Sequence, residues 1–231
     1  MAGVVRSLAF GGAFFAWPYH AGVAAYVQAN RALGADARIY GTSSGAVVAT
    51  MLACDIPCAT AGLELGLRAD RDGLGGRKTP FFRPTAFLGP HIDEMDRALP
   101  ADAHERATNR LFITLRRLPR MRQVAVGEFP TRASLLDVLA AAVAVPGLTV
   151  PIYHRSPRFG PCLDGVPGVP DDDRHGATTT RVGVFQRGTY DLKPSTPITN
   201  GLIFGMPDDT ARRSMFALGF ADAERHFGAR A

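Results

Sequence analysis

Residues 37–54 read Ala-Arg-Ile-Tyr-Gly-Thr-Ser-Ser-Gly-Ala-Val-Val-Ala-Thr-Met-Leu-Ala-Cys. Ala37 to Tyr40 suits the end of a buried strand, and Ala46 to Ala53 is a run of small and apolar residues long enough for a buried helix. Between them Gly41-Thr42-Ser43-Ser44-Gly45 satisfies G-x-S-x-G, with Ser43 central. A serine on such a strand–turn–helix corner forms a nucleophile elbow. The sharp turn holds the hydroxyl clear of the backbone, at the positive end of the following helix. Gly41 and Gly45 stand where a side chain would collide with the neighbouring strand or helix. The five-residue pattern alone also describes an ordinary Gly/Ser turn; the strand before it and the helix after it favour the elbow.

On the N-terminal side, Val4 to Phe10 reads as a short buried strand. Gly11-Gly12-Ala13-Phe14-Phe15 follows as a loop whose glycines permit close backbone approach. Tyr19 to Ala32 then reads as a helix ending near Gly34. Strand–loop–helix followed by strand–elbow–helix is the alternation of a parallel α/β core. Sites in such sheets form where loops leave the carboxyl ends of the strands. The Gly11–Gly12 loop is therefore expected beside Ser43, with backbone N–H groups to offer. Leu8 to Val27 carries no formal charge, which raises a signal peptide or membrane span. Its three glycines, Pro18, Tyr19 and His20 favour a buried strand, loop and helix instead.

On the C-terminal side, Ala59 to Leu67 and Ile92 to Leu99 suit helices, with Asp70 to Pro84 a loop between them. Phe81, Phe82 and Phe87 suit either a lid or acyl groove, or packing over the core. Arg110 to Leu115 and Gln123 to Phe129 alternate like two strands. The turn joining them concentrates Arg116, Arg117, Arg120 and Arg122, and is either simply solvated or in contact with anionic lipid. Thr131 to Val145 reads as a helix with Thr131 or Ser134 as N-cap, stopped by Pro146-Gly147. Ile152 to Asp164 is a strand-and-loop stretch ending in Leu163-Asp164-Gly165. Asp171-Asp172-Asp173 belongs to a solvated loop. Arg181 to Gln186 and Leu202 to Phe204 are expected as strands, and Asp208 to Phe227 as the last helix.

The chain has 231 residues, 46% hydrophobic and 20% charged, with net charge +5. This is a globular composition with ample core, expected as one domain over 1–231. Positive charge favours anionic surfaces, but no zinc-finger or RNP-like motif points to nucleic acid. Cys54, Cys58 and Cys162 cannot form a disulfide framework and read as buried small residues in a reducing compartment.

Several stretches in order resemble the patatin-like phospholipase family, in its adipose triglyceride lipase and adiponutrin-like branch. Leu8 to Val23 is similar to the family's oxyanion loop and following helix, and Ile39 to Ala46 to its elbow. Phe129 to Pro151 is similar to the segment before the catalytic aspartate. Cys162-Leu163-Asp164-Gly165 falls where the family has D-G-G or D-G-A, and Arg181 to Pro194 and Gly219 to Asp222 also match family stretches. The resemblance implies a three-layer α/β/α fold with a mostly parallel sheet. It implies a Ser–Asp dyad, Ser43 the nucleophile and Asp164 the proton acceptor, with Gly12, Ala13 and Phe14 as the oxyanion hole. No metal or other cofactor is implied. The substrate would be a lipid carboxylic ester, for a cytoplasmic protein in peripheral contact with a membrane or lipid-droplet surface. A dyad also accounts for six histidines, His20, His91, His104, His154, His175 and His226, none singled out by its surroundings.

Two departures bear on activity. The family's G-x-G-x-x-G appears as Gly12-Ala13-Phe14-Phe15-Ala16-Trp17, and the third position of D-G-G is Val166. If the loop needs a left-handed residue at its second glycine, Phe14 is strained. The competing readings are a catalytically impaired patatin-fold protein that binds lipid or a partner, and a Ser-His-Asp esterase.

Overall fold

The computed structural model describes residues 5–66, 68, 84–166 and 179–228. Phe81, Phe82, the side chain of Phe87 and the Asp171–Asp173 run lie outside the described residues. The opening alternation is found as expected. Strand β1 (Val5–Phe10) leads through a short turn at Phe14–Ala16 into helix α1 (Trp17–Ala29). Strand β2 (Leu33–Thr42) leads through Ser43 into α2 (Ser44–Ala53). After a π-type turn at Cys58–Gly62 come α3 (Pro84–Ala98) and α4 (Ala103–Ala107). The hairpin of β3 (Leu111–Arg117) and β4 (Arg122–Val126) follows, then α5 (Arg132–Ala142), β5 (His154–Ser156) and β6 (Gly160–Asp164). β7 (Thr180–Val182), α6 (Asn200–Phe204) and α7 (Asp209–Gly228) complete the described elements.

The sheet core is parallel, in the order β7-β1-β2-β3. Both β4 and β6 run antiparallel to β3, and β5 runs antiparallel to β6. The register of β3 decides where the site forms. Residues 113–117 pair with β4 along one edge. The other edge is shared: Leu111 to Thr114 pair with Ile39 to Thr42 of β2, and Leu115 to Arg117 pair with Cys162 to Asp164 of β6. β2 and β6 therefore approach end to end along one edge of β3. Thr42 sits opposite Thr114, and Asp164 opposite the next residue, Leu115.

Helix α1 is buried on all sides, with every residue from Pro18 to Val27 in the core, which explains why its sequence shows no polar face. It meets α7 backbone to backbone. A Cβ added to Gly22 would come within 2.0 Å of the Phe216 carbonyl oxygen, and one on Gly219 within 2.0 Å of the Tyr19 carbonyl oxygen. The Tyr19 hydroxyl donates to Asp222 at 3.2 Å. His20 is completely buried against Phe10, with ring centroids 5.5 Å apart. Burial pulls its pKa down to about 3, so the ring is neutral. At α5 both N-cap candidates act together: Ser134 N–H donates to Thr131 Oγ1 at 3.1 Å and Thr131 N–H to Ser134 Oγ at 3.0 Å.

One element differs in kind. Leu202 to Phe204, expected as a strand, lies in helix α6. Three apolar residues carry no period that separates strand from helix, and Thr199 to Gly201 supplies the helical turn. The three cysteines are buried and unpaired, as expected. No helix among the described residues is long and apolar enough to cross a membrane.

Candidate active site

Ser43 sits between the last residue of β2 and the first of α2, with φ 57° and ψ −137°. An L residue adopts this backbone only when its surroundings enforce it, at a cost of about 1–3 kcal/mol. Here the glycines on either side enforce it. A Cβ on Gly41 would lie 2.4 Å from the Ala46 Cα, and one on Gly45 would lie 2.3 Å from the Gly11 carbonyl oxygen. Gly45 thus seats the start of α2 directly on the end of β1 and ties the elbow to the glycine loop. A Cβ on Gly12 would stand 3.4 Å from Ser43 Cβ and 3.9 Å from Ser43 Oγ. The expected neighbourhood of that loop and Ser43 is present.

The same added atom would meet Val166 Cγ2 at 2.8 Å, so the chain leaving β6 closes the other side of the site. Asp164 is buried, its N–H donating to the Ala144 carbonyl at 3.0 Å. Its Oδ1 accepts the Val166 N–H at 2.9 Å. Oδ2 has no aligned donor among the described residues. The nearby Ser43 hydroxyl nevertheless acts on the ionisation of this carboxyl. Burial pushes the Asp164 pKa up to about 6, against the Ser43 hydroxyl, the Val166 amide and the Arg116 guanidinium, each of which favours the carboxylate. Gly165 is required by space, since a Cβ there would lie 2.5 Å from the Thr114 carbonyl oxygen.

The loop residues fare differently from one another. Phe14 has φ 49°, the left-handed region that favours glycine. The strain expected from the missing glycine is present, and the ring is held edge-on to Phe204 at 4.9 Å. The Ala13 N–H donates to Ser44 Oγ at 3.1 Å. Nothing in the sequence sets Ser44 apart beyond its place in G-x-S-x-G. Arg116, in sequence one member of a basic turn, donates to the Val166 carbonyl at 3.1 Å.

Beside Ser43 opens a cavity of about 120 Å³, bounded mainly by apolar side chains of α2, α3 and α5, among them Val47, Met51, Ile92, Met95, Leu139 and Val143. Phe14 and Trp17 close it at the loop, and His91 and the buried Glu94 are its main polar walls besides Ser43, Ser44 and Thr149. A serine held on a strained turn, a desolvated carboxyl and an apolar cavity are the parts needed for acyl transfer from a hydrophobic ester.

Comparison with known proteins identifies the family. The patatin-like phospholipase family model matches residues 8–167. The human omega-hydroxyceramide transacylase is 31% identical over 69% of this chain and 30% of its own length. Human patatin-like phospholipase domain-containing protein 5 is 31% identical over 84% of this chain and 45% of its length. The mouse 1-acylglycerol-3-phosphate O-acyltransferase Pnpla3 is 30% identical over 84% of this chain and 47% of its length. The chain thus spans less than half of each of these relatives. Among solved structures, VipD from Legionella pneumophila aligns over 98% of this chain and 67% of its own, with TM-score 0.54 and 11% identity, a likeness of fold. The last two relatives fall in the adiponutrin-like branch, and the chain belongs to the patatin-like phospholipase family.

Proposed function

We propose that the chain is a lipid acyl hydrolase working through a Ser43–Asp164 dyad and an acyl-enzyme. The observation that supports this reading is a strained, elbow-held serine on the chain leaving β2, beside the β6 end that carries a carboxyl made more basic by burial. An ordinary carboxylate, with its pKa near 4, is a weak acceptor for a hydroxyl proton; at about 6 the mismatch narrows. Asp164 takes the proton as Ser43 Oγ forms a bond to the ester carbonyl carbon. Amides of Gly12, Ala13 and Phe14 stabilise the oxyanion, and the Ala13 amide exchanges its Ser44 partner for the substrate oxygen. The alcohol leaves with the proton from Asp164. Water then attacks the acyl-serine, giving a proton back through Asp164 and releasing the acid. The cavity beside Ser43 holds part of the acyl chain.

The test is hydrolysis of phospholipid and acylglycerol by wild type, Ser43→Ala and Asp164→Asn. Equal activity in all three would end the assignment. A second reading rests on the glycine loop: Phe14 is left-handed and the Ala13 amide is already engaged. A patatin-fold protein with a damaged oxyanion hole, binding lipid without turning it over, would show both features. A fluorophosphonate probe separates the two, since only an activated Ser43 becomes labelled. The acyl acceptor is open in the same experiment: supplying an alcohol such as diacylglycerol and following ester formation tells transfer from hydrolysis.

A further inference from the structure

Beyond Thr114, where its pairing with β2 ends, β3 continues for three residues, about 10 Å, before its turn. The β3–β4 turn therefore projects past Ser43 at the site-bearing end of the sheet. The β5–β6 turn lies next to it, with Leu118 N–H donating to the Pro161 carbonyl at 2.9 Å. Together these turns and the strand ends beside them carry Arg116, Arg117, Arg120, Arg122, Arg155 and Arg158, and residues 111–163 contain only two carboxylates, Glu128 and Asp137.

Asp137 is committed elsewhere, to His154 at 2.7 Å and to the Ser156 hydroxyl at 2.6 Å. Glu128 stands 3.8 Å from Arg158. Arg117 and Arg122 face each other directly across the hairpin, a like-charge pairing that weakens a sheet. Arg117 and Arg158 both lie over the one ring of Phe159, at 6.0 and 5.0 Å. Among the described residues no carboxylate pairs with Arg117, Arg120 or Arg122. Like charges so gathered, on two exposed turns, are suited to an anionic surface. Apolar side chains stand among them: Met121 at the turn is 45% exposed, and Ile152, which leads into β5, is 69% exposed.

We propose that this arginine-rich double turn docks the protein on bilayers containing anionic phospholipid, with Met121 entering the headgroup region. The inference builds on the lipid reading of Ser43 but requires no catalysis. Each arginine near such a surface strengthens partitioning by about fivefold, and the attraction is screened by salt.

The experiment is vesicle flotation of the full chain carrying Ser43→Ala, so that binding is read without turnover. Phosphatidylcholine vesicles are compared with vesicles in which about one lipid in three is phosphatidylserine. Expected is retention on the anionic vesicles only, reduced about a hundredfold by Arg120→Gln, Arg122→Gln and Arg158→Gln together, three substitutions at about fivefold each. Arg6→Gln with Arg31→Gln, at the opposite end of the sheet, leaves retention unchanged. Melting of the triple variant at the wild-type temperature, and unchanged fluorophosphonate labelling of the triple variant with Ser43 intact, establish that the fold is kept. Equal retention on neutral vesicles, or no effect of the triple substitution, overturns the proposal. So does a triple variant that loses binding to single-stranded RNA while keeping its vesicles. Hydrolysis of a dispersed ester by wild type without vesicle retention would sink docking and leave the dyad; retention without hydrolysis would do the reverse.

Discussion

Replacing Asp164 by Asn separates what the carboxylate does for chemistry from what it does to stability, and the two effects have opposite signs. In the unfolded chain the group titrates near 3.8, and in the folded protein near 6, because burial disfavours the charged form. The folded state therefore holds its proton to higher pH. Stability from this group is full below about pH 4, declines as pH rises to about 6, and stays reduced above it. A difference of about two pH units, at about 1.4 kcal/mol each, makes the ionised carboxylate cost about 3 kcal/mol at pH 8. Asparagine matches its shape, can still accept the Val166 N–H, and does not titrate. Thermal melts of both proteins from pH 4 to pH 8 measure the difference directly. The variant should gain on wild type between pH 4 and 6, then hold an advantage of about 6–12 °C, at about 2–4 °C per kcal/mol for a chain of this size. Over the same range wild-type kcat/KM should climb through about pH 6 as Asp164 ionises, while the variant loses about a hundred- to ten-thousandfold. Melting curves that stay parallel across the range would refute the claim that burial sets the basicity of Asp164.

Three further outcomes are expected. Ser43→Gly abolishes fluorophosphonate labelling yet raises stability by about 1 kcal/mol, because glycine accepts φ 57° without strain; a lower melting temperature would show that the serine side chain, not the turn, holds the elbow. Gly45→Ala drives a methyl against the Gly11 carbonyl oxygen and lowers stability by about 3 kcal/mol in denaturant melts; a neutral result would mean that β1 and α2 can part freely. His91→Ala, beside the cavity, changes turnover by less than about tenfold, whereas a loss of about a thousandfold would move the base from Asp164 to an imidazole.

The N-terminal half of the site was legible because its constraints are local. Gly41 and Gly45 stand where a Cβ would strike backbone, the Gly11–Gly12 pair marks the loop, and the small apolar runs around them have the lengths of buried elements. Phe14 was legible as a departure, and its left-handed backbone bears out the strain expected of it. What could not be read is non-local. No pattern in residues 154–164 states that β6 returns antiparallel along β3 and ends where β2 ends. The Ala13–Ser44 hydrogen bond joins the glycine loop to the first residue of α2, 31 residues on, and leaves no periodicity. Leu202 to Phe204 was too short for its apolar run to tell helix from strand. Arg116 looked like one charge in a basic turn, and only its ladder position opposite Leu163, next to the Leu115–Asp164 pair, brings it to the aspartate strand.

The end-to-end approach of β2 and β6 gives β3 an unusual standing. Asp164 rides on β6 and Ser43 follows directly on β2; the two strands share no ladder, and β3 sets their heights through Leu115 opposite Asp164 and Thr114 opposite Thr42. The hairpin strand thus serves as the ruler against which Ser43 and Asp164 are set. A slip of that ruler by a single pleat would leave both reactive side chains chemically intact and out of each other's reach.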